Sequence, residues 1–302
     1  MADPDELYTL RNRFWLGNFQ LAIAEGNNLT RVSDELRVER DEFVYRSYVG
    51  LGQYNLVLNE VKDDAPPSLL AVRLMARYLS APDDERDDVL ETLSEWMRDG
   101  KTSANPTVQL AAAIIYEKEN KMDQAFTAIR HQSTMEQIAL WAQFCIRIYR
   151  VDLAAEKLKQ LQEMDEDHSL TQLCSAWVHI SQGGDKLKEA AYTYEELIDK
   201  FEPTIALLNG LAAARMHMHE WEDAEKHLLS ALQKGDNPDT LVNLIATYCH
   251  LEKEQQVIDR YIHQLETNFP KHPTVEKLNR CKATFDRVAE QMIKQVDTPP
   301  ED

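Results

Sequence analysis

Apolar residues recur at intervals of three and four along almost the whole chain, broken by short polar turns, and strict alternation is nearly absent. That period belongs to amphipathic helices packed on one face and not to half-buried strands. One stretch, LNGLAAARMHMHEWEDAEKHLLSAL from Leu208 to Leu232, shows the unit. A first helix carries Leu208, Leu211 and Ala212 on one face. A turn falls at His219-Glu220. The second helix repeats Trp221, Ala224, Leu228 and Ala231 at i, i+3, i+7 and i+10, a single apolar stripe. Asn237-Pro238 then closes the unit, because proline cannot continue a helix.

The small residue where the two helices cross, Ala224 in this unit, can be followed through the chain as Ala22, Val57, Val89, Ala125, Ala154, Ala190, Ala224 and Val257. The intervals average about 34 residues, the length of a tetratricopeptide unit. The expected fold is therefore an all-α, tetratricopeptide-like α-solenoid of about eight helical hairpins with a C-terminal capping helix. It forms one superhelical array over 1–293, followed by a disordered acidic tail, 294–302. Gly17 and Gly52 mark two turns, and Pro66-Pro67, Pro106, Pro203, Pro238 and Pro273 punctuate the gaps between units. The third unit, Leu69 to Trp96, is degenerate, with an acidic turn at Asp83, Asp84, Glu85, Asp87 and Asp88. The interval of 29 between Ala125 and Ala154 predicts shortened helices. The last helix, Val275 to Ile293, should cap the stack with a polar outer face.

Composition narrows the function. The 302 residues hold 52 acids against 33 Lys plus Arg, a net charge of −19. Phosphate polymers repel such a surface, so nucleic acid is excluded as a partner. Nine glycines and eleven prolines are too few for a turn-rich β fold. Cys145, Cys174, Cys249 and Cys281 never form a CxxC pair and read as reduced, packed thiols of a cytosolic protein. No apolar run approaches the ~20 residues of a membrane span, and the acidic N-terminus does not resemble a secretion signal. His217, His219 and His227 lie in one hairpin, but residues two apart on a helix do not share a face. No phosphate loop, nucleophile elbow or HExxH is present. We expect no enzyme, no catalytic or metal residues and no cofactor.

In such arrays the first helices line the concave surface. The first-helix segments 36–49, 69–80, 107–117, 135–148, 170–181, 205–218 and 240–251 contain no lysine; Arg37, Arg40, Arg46, Arg73, Arg77, Arg147 and Arg215 remain. That argues against the clamp that some peptide-binding modules close on a terminal carboxylate, which needs converging Lys, Arg and Asn. Asn209 and Asn243 occupy suitable positions with nothing basic around them. The last two units instead offer Asn209, Ala213, Met216, Val242, Ala246 and Cys249 as a largely apolar partner-binding groove. The alternative is that these residues simply pack between helices.

Longer blocks carry a resemblance that the period alone does not. DELYTLRNRFWLGNFQLAI, VERDEFVYRSYVGLGQYNLVLNEV, APPSLLAVRLMARYL, LAAEKLKQLQEMDEDHSLTQLCSAWVHISQGGDKLKEAAYTYEELIDK, PTIALLNGLAAARMHMHEWEDAEKHLLSAL and DTLVNLIATYCHL occur in order. From end to end the chain resembles the epsilon subunits of the coatomer. The resemblance implies a non-catalytic structural subunit of the COPI vesicle coat, acting in Golgi-to-ER retrograde and intra-Golgi transport. It implies an array curled around a projecting segment of the coatomer alpha subunit's C-terminal domain, with other coatomer subunits met indirectly. The protein would be cytoplasmic, on the cytosolic face of Golgi membrane and coated vesicles, and would reach the membrane only through the assembled coat. The competing reading is a cytosolic tetratricopeptide adaptor or cochaperone.

Overall fold

The computed structural model describes residues 5–82 and 85–297, with side chains described as far as residue 293. Asp83 and Asp84 of the acidic turn, and 298–302 of the acidic tail, lie outside these residues. The described chain is folded into seventeen helices. Sixteen pair as hairpins: α1 (Tyr8–Trp15) with α2 (Phe19–Asn28), α3 (Asp34–Gly50) with α4 (Tyr54–Glu60), α5 (Pro67–Ser80) with α6 (Arg86–Arg98), and α7 (Pro106–Lys118) with α8 (Met122–Ala128). Then follow α9 (Met135–Arg147) with α10 (Val151–Met164), α11 (Ser169–Gln182) with α12 (Lys186–Phe201), α13 (Ile205–His217) with α14 (Trp221–Lys234), and α15 (Pro238–His250) with α16 (Gln255–Asn268). The last helix, α17 (Pro273–Asp297), carries helical structure into the first residues assigned to the tail.

Several first helices begin on side-chain caps. Oxygens of Ser33, Asn105, Thr134 and Asn237 accept from backbone N–H groups at the starts of α3, α7, α9 and α15, satisfying donors that have no partner within the helix. Pro67, Pro106 and Pro238 sit in the first turn, where a missing N–H costs nothing. The prolines that punctuate the sequence thus open units as much as close them.

Inside the hairpins, six turns use one device. The backbone N–H groups of Asn18, Gln53, Lys121, Arg150, Glu220 and Lys253 each donate to a carbonyl five residues earlier. The residue just before each donor has positive φ: Gly17, Gly52, Asn120, Tyr149, His219 and Glu252. This is the Schellman closure of a helix C-terminus.

Ala22, Val57, Val89, Ala125, Ala154, Ala190 and Ala224 are all fully buried where the paired helices cross. Val257 is not: it is only partly buried, and Ile258 takes the place in the core. The connection between α15 and α16 is one residue longer than that between α13 and α14, which shifts the buried position by one. The short interval before Ala154 reflects α8, only 7 residues long. The structure also extends α7 to Lys118, so one exposed lysine does stand on a first helix, at the C-terminal end where the helix dipole favours it.

The chain divides into two compact units, Met1–Leu207 and Leu208–Asp302. In the first, α1, α3, α5 and α7 follow one another as neighbours, as do α9 and α11. The Gln137 amide on α9 donates to Gln109 of α7 at 2.8 Å and joins the two series. The series closes on itself, because α1 also meets α11. At that seam the Ser169 hydroxyl donates to Asn12 Oδ1 at 2.5 Å, both residues buried. The rings of Trp15 and His168 lie 5.0 Å apart. The Thr204 hydroxyl donates to the Leu16 carbonyl at 2.6 Å.

The second unit has a core of Ala212, Ala224, Leu228, Leu241, Leu244, Tyr248, Ile258, Tyr261, Leu265 and Val275. The outer face of α17 departs from the polar cap that the sequence led us to expect. It carries exposed Phe285, Val288, Met292 and Ile293. No helix among the described residues is long and apolar enough to cross a membrane.

Candidate partner-binding site

The ring of first helices in the first unit surrounds a cavity of about 570 Å³. Its wall draws on α1, α3, α5, α7, α9 and the start of α11, so the first helices do form the inner surface. Tyr8, Trp15, Phe43, Val38, Leu110 and Met135 supply apolar area, and Arg11, Glu39, Glu42 and Glu136 supply charge.

Arg11 pairs with Glu39, while Glu42 and Glu136 are organised from one residue. Arg46 on α3 is buried, and its guanidinium donates to Glu42 at 3.3 Å and to Glu136 on α9. It also lies 4.5 Å from the centre of the Phe14 ring and 5.3 Å from that of Phe43. Glu42 in turn accepts from the Thr107 hydroxyl on α7 at 2.9 Å. Burial pushes the Glu42 carboxyl above the usual carboxylate range, with Arg46 opposing. A buried cation with two carboxylates and two aromatic faces ties three elements of the ring together across its interior. The sequence showed Arg46 as one of several sparse first-helix arginines; nothing local distinguished it, because its partner Glu136 is 90 residues away.

The residues singled out in the last two units fall on α13 and α15 of the second unit. Ala213, Met216, Val242 and Ala246 are half-buried and Cys249 is exposed, with Met216 and Val242 packed at the edge of the core. Asn209 is occupied otherwise: its amide donates to Thr240 at 2.7 Å and its oxygen accepts from the Asn243 amide at 3.2 Å. The two asparagines of a would-be carboxylate clamp therefore bond to each other and to Thr240.

Two thiols depart from the expected packing. Cys145 and Cys174 are buried, and burial pushes the Cys174 thiol up to about 12; Cys249 and Cys281 are exposed. Among the described residues no group of three His, Cys, Asp or Glu is placed to hold a metal.

The fold has relatives among solved structures. The crystal structure of the APC/C hetero-tetramer Cut9-Hcn1 aligns with a TM-score of 0.59 at 16% identity, over 92% of this chain and 55% of that one. A tetratricopeptide repeat protein from Parabacteroides merdae aligns with a TM-score of 0.59 at 12% identity, over 86% and 96%. These establish a tetratricopeptide-like α-solenoid. Sequence relatives are closer. "Coatomer subunit epsilon-1" of Arabidopsis thaliana is 38% identical, covering 95% of this chain and 97% of its own. "Coatomer subunit epsilon" of Dictyostelium discoideum is 36% identical over 95% and 98%. These relatives are named as subunits of a coat and not as enzymes, and the profile of the "Coatomer epsilon subunit" family matches residues 3–293. The chain belongs to the coatomer epsilon subunit family.

Proposed function

We propose that this coatomer component binds the C-terminal domain of the coatomer alpha subunit and stabilises it within the coat. It acts in Golgi-to-ER retrograde and intra-Golgi transport, on the cytosolic face of Golgi membranes and coated vesicles, and reaches the membrane through the assembled coat. The observation that carries this reading is the closed ring of first helices around a cavity walled by Trp15, Phe43, Val38 and Leu110. Such a cavity can surround a projecting chain segment and strip it of water, and aromatic anchors at the centre of an interface supply most of its energy. The half-buried apolar face of α13 and α15 offers the same partner a second contact.

Size-exclusion chromatography of the full chain mixed with the alpha subunit's C-terminal domain tests the proposal. Co-elution as one stoichiometric species is the expected result; separate elution overturns it. A pull-down with a chaperone C-terminal peptide separates the adaptor reading, which the Asn209–Asn243 pairing opposes.

A further inference from the structure

The last helix is anchored only at its start. Val275 is buried in the core of the second unit and Leu278 is half-buried. An ion pair from Lys282 to Glu266 on α16, 2.7 Å long, lies just beyond them. From 279 to 293 every side chain except Ala289 is exposed. Yet this stretch is not polar all round. Leu278, Cys281, Phe285, Val288 and Met292 follow one another at steps of three, four, three and four. Phe285 is 72% exposed, Val288 43% and Met292 62%.

A step of three then four is the heptad seam that packs against another helix at a small crossing angle; strands and extended peptides are read at a period of two. Charge disfavours a parallel second copy of this chain as the occupant. Over 273–297 five cations (Lys277, Arg280, Lys282, Arg287 and Lys294) stand beside four acids (Glu276, Asp286, Glu290 and Asp297), a net of +1 in a chain of net charge −19. Lys277 and Lys282 flank the seam. A parallel, in-register pair of these helices would set Lys277 of one copy beside Lys282 of the other, a repulsive contact. The seam also spans about two heptads, short of the three to four that sustain a free-standing coiled coil. Glu276, Asp286 and Glu290 on the remaining surface disfavour an anionic membrane.

We propose that the α17 seam is a docking surface for an α-helix of another protein, one with apolar residues at its own a and d positions and Glu or Asp at the flanking e and g positions. The residues of this seam are not among those of the cavity wall or of the α13/α15 face.

The test uses the full chain and two synthetic heptad peptides, both with Leu at a and d, one with Glu and the other with Lys at e and g. Fluorescence anisotropy measures binding. In a Cys249→Ser background, the alkylation rate of Cys281 reports cover of the seam. The Glu-flanked peptide should bind saturably, about tenfold or more tighter than its Lys twin, a gap of roughly 1.4 kcal/mol or more, and should slow alkylation of Cys281. Phe285→Glu with Met292→Glu should abolish binding and leave the melting temperature unchanged, since both side chains are exposed. Lys277→Glu with Lys282→Glu should reverse the preference between the peptides. No binding, equal binding of both peptides, or binding that survives Phe285→Glu/Met292→Glu overturns the proposal. So does Phe285-dependent dimerisation of the chain without peptide, or tighter binding to phosphatidylserine vesicles than to the Glu-flanked peptide.

Discussion

Tyr149 sits at the left-handed turn between α9 and α10 with φ 59° and 91% of its surface exposed. A left-handed backbone costs a side chain with a Cβ roughly 1–2 kcal/mol, and glycine avoids that cost. The side chain gives up almost no packing, so Tyr149→Gly should raise stability by about 1 kcal/mol, set against glycine's greater freedom in the unfolded chain. Chemical denaturation decides it, and a lower midpoint would mean that Tyr149 supports its neighbours. A sharper test concerns the register of the last hairpin. Ile258→Asp buries an unpaired carboxylate and should cost roughly 3 kcal/mol or more, as should Ala224→Asp; Val257→Asp, half-buried, should cost clearly less. Equal losses at 257 and 258 would contradict the one-residue shift. The crossing alanines were legible in the sequence because a small buried side chain recurs at a fixed interval. Turns were legible where glycine stood, at Gly17 and Gly52, and at His219-Glu220, where the apolar stripe breaks. Tyr149 and Glu252 adopt the same left-handed backbone without announcing it, and the added residue before Glu254 has no side-chain signature.

At the scale of elements, the seam between α1 and α11 carries a titratable group. Nδ1 of His168 accepts from the Leu170 N–H at 3.2 Å and so caps α11, while the imidazole lies against Trp15. Burial lowers the His168 value below its ordinary 6.5, Asp165 and Asp5 oppose that shift, and Arg11 reinforces it. A folded-state value below the unfolded one means that the folded chain binds fewer protons. The stabilisation is therefore full above pH 6.5 and declines as pH falls through 6.5 toward the folded value. Protonation also removes the acceptor that caps the helix. His179 shifts in the same direction, again through burial, so the wild-type profile contains both. His168→Asn keeps a capping oxygen and cannot titrate. Melting curves should show a shallower loss of stability on acidification for this variant than for the wild type; an unchanged slope would remove His168 from the seam's pH response. Hairpin pairing was readable in the sequence from short turns. The closure of the ring was not, since Asn12 and Ser169 lie 157 residues apart and each looks like an ordinary polar residue at a helix surface.

At the scale of the whole chain, the question is which surface holds the coat partner. A segment seated in the cavity of the first unit would be lined by first helices on several sides, so a charge placed there would meet the desolvated centre of the proposed interface. The α13/α15 face offers small side chains, Ala213 and Ala246, beside Met216 and Val242, and a guest on it would be touched from one side. Val38→Asp in the cavity wall should weaken binding of the alpha subunit's C-terminal domain by about 2 kcal/mol or more, the range of an interface hot spot. Met216→Glu with Ala246→Glu should also abolish co-elution if the second contact is used, with helicity retained in both variants. If the two surfaces act independently, their free-energy effects should add to within about 0.5 kcal/mol when combined. Calorimetric titration of the single-site variants and their combination measures this directly. Additive losses support a grip at two surfaces. A loss confined to Val38→Asp leaves the cavity as the whole site, and a loss confined to the α13/α15 variant moves the site to the second unit. Wild-type affinity in both would take the partner off both surfaces.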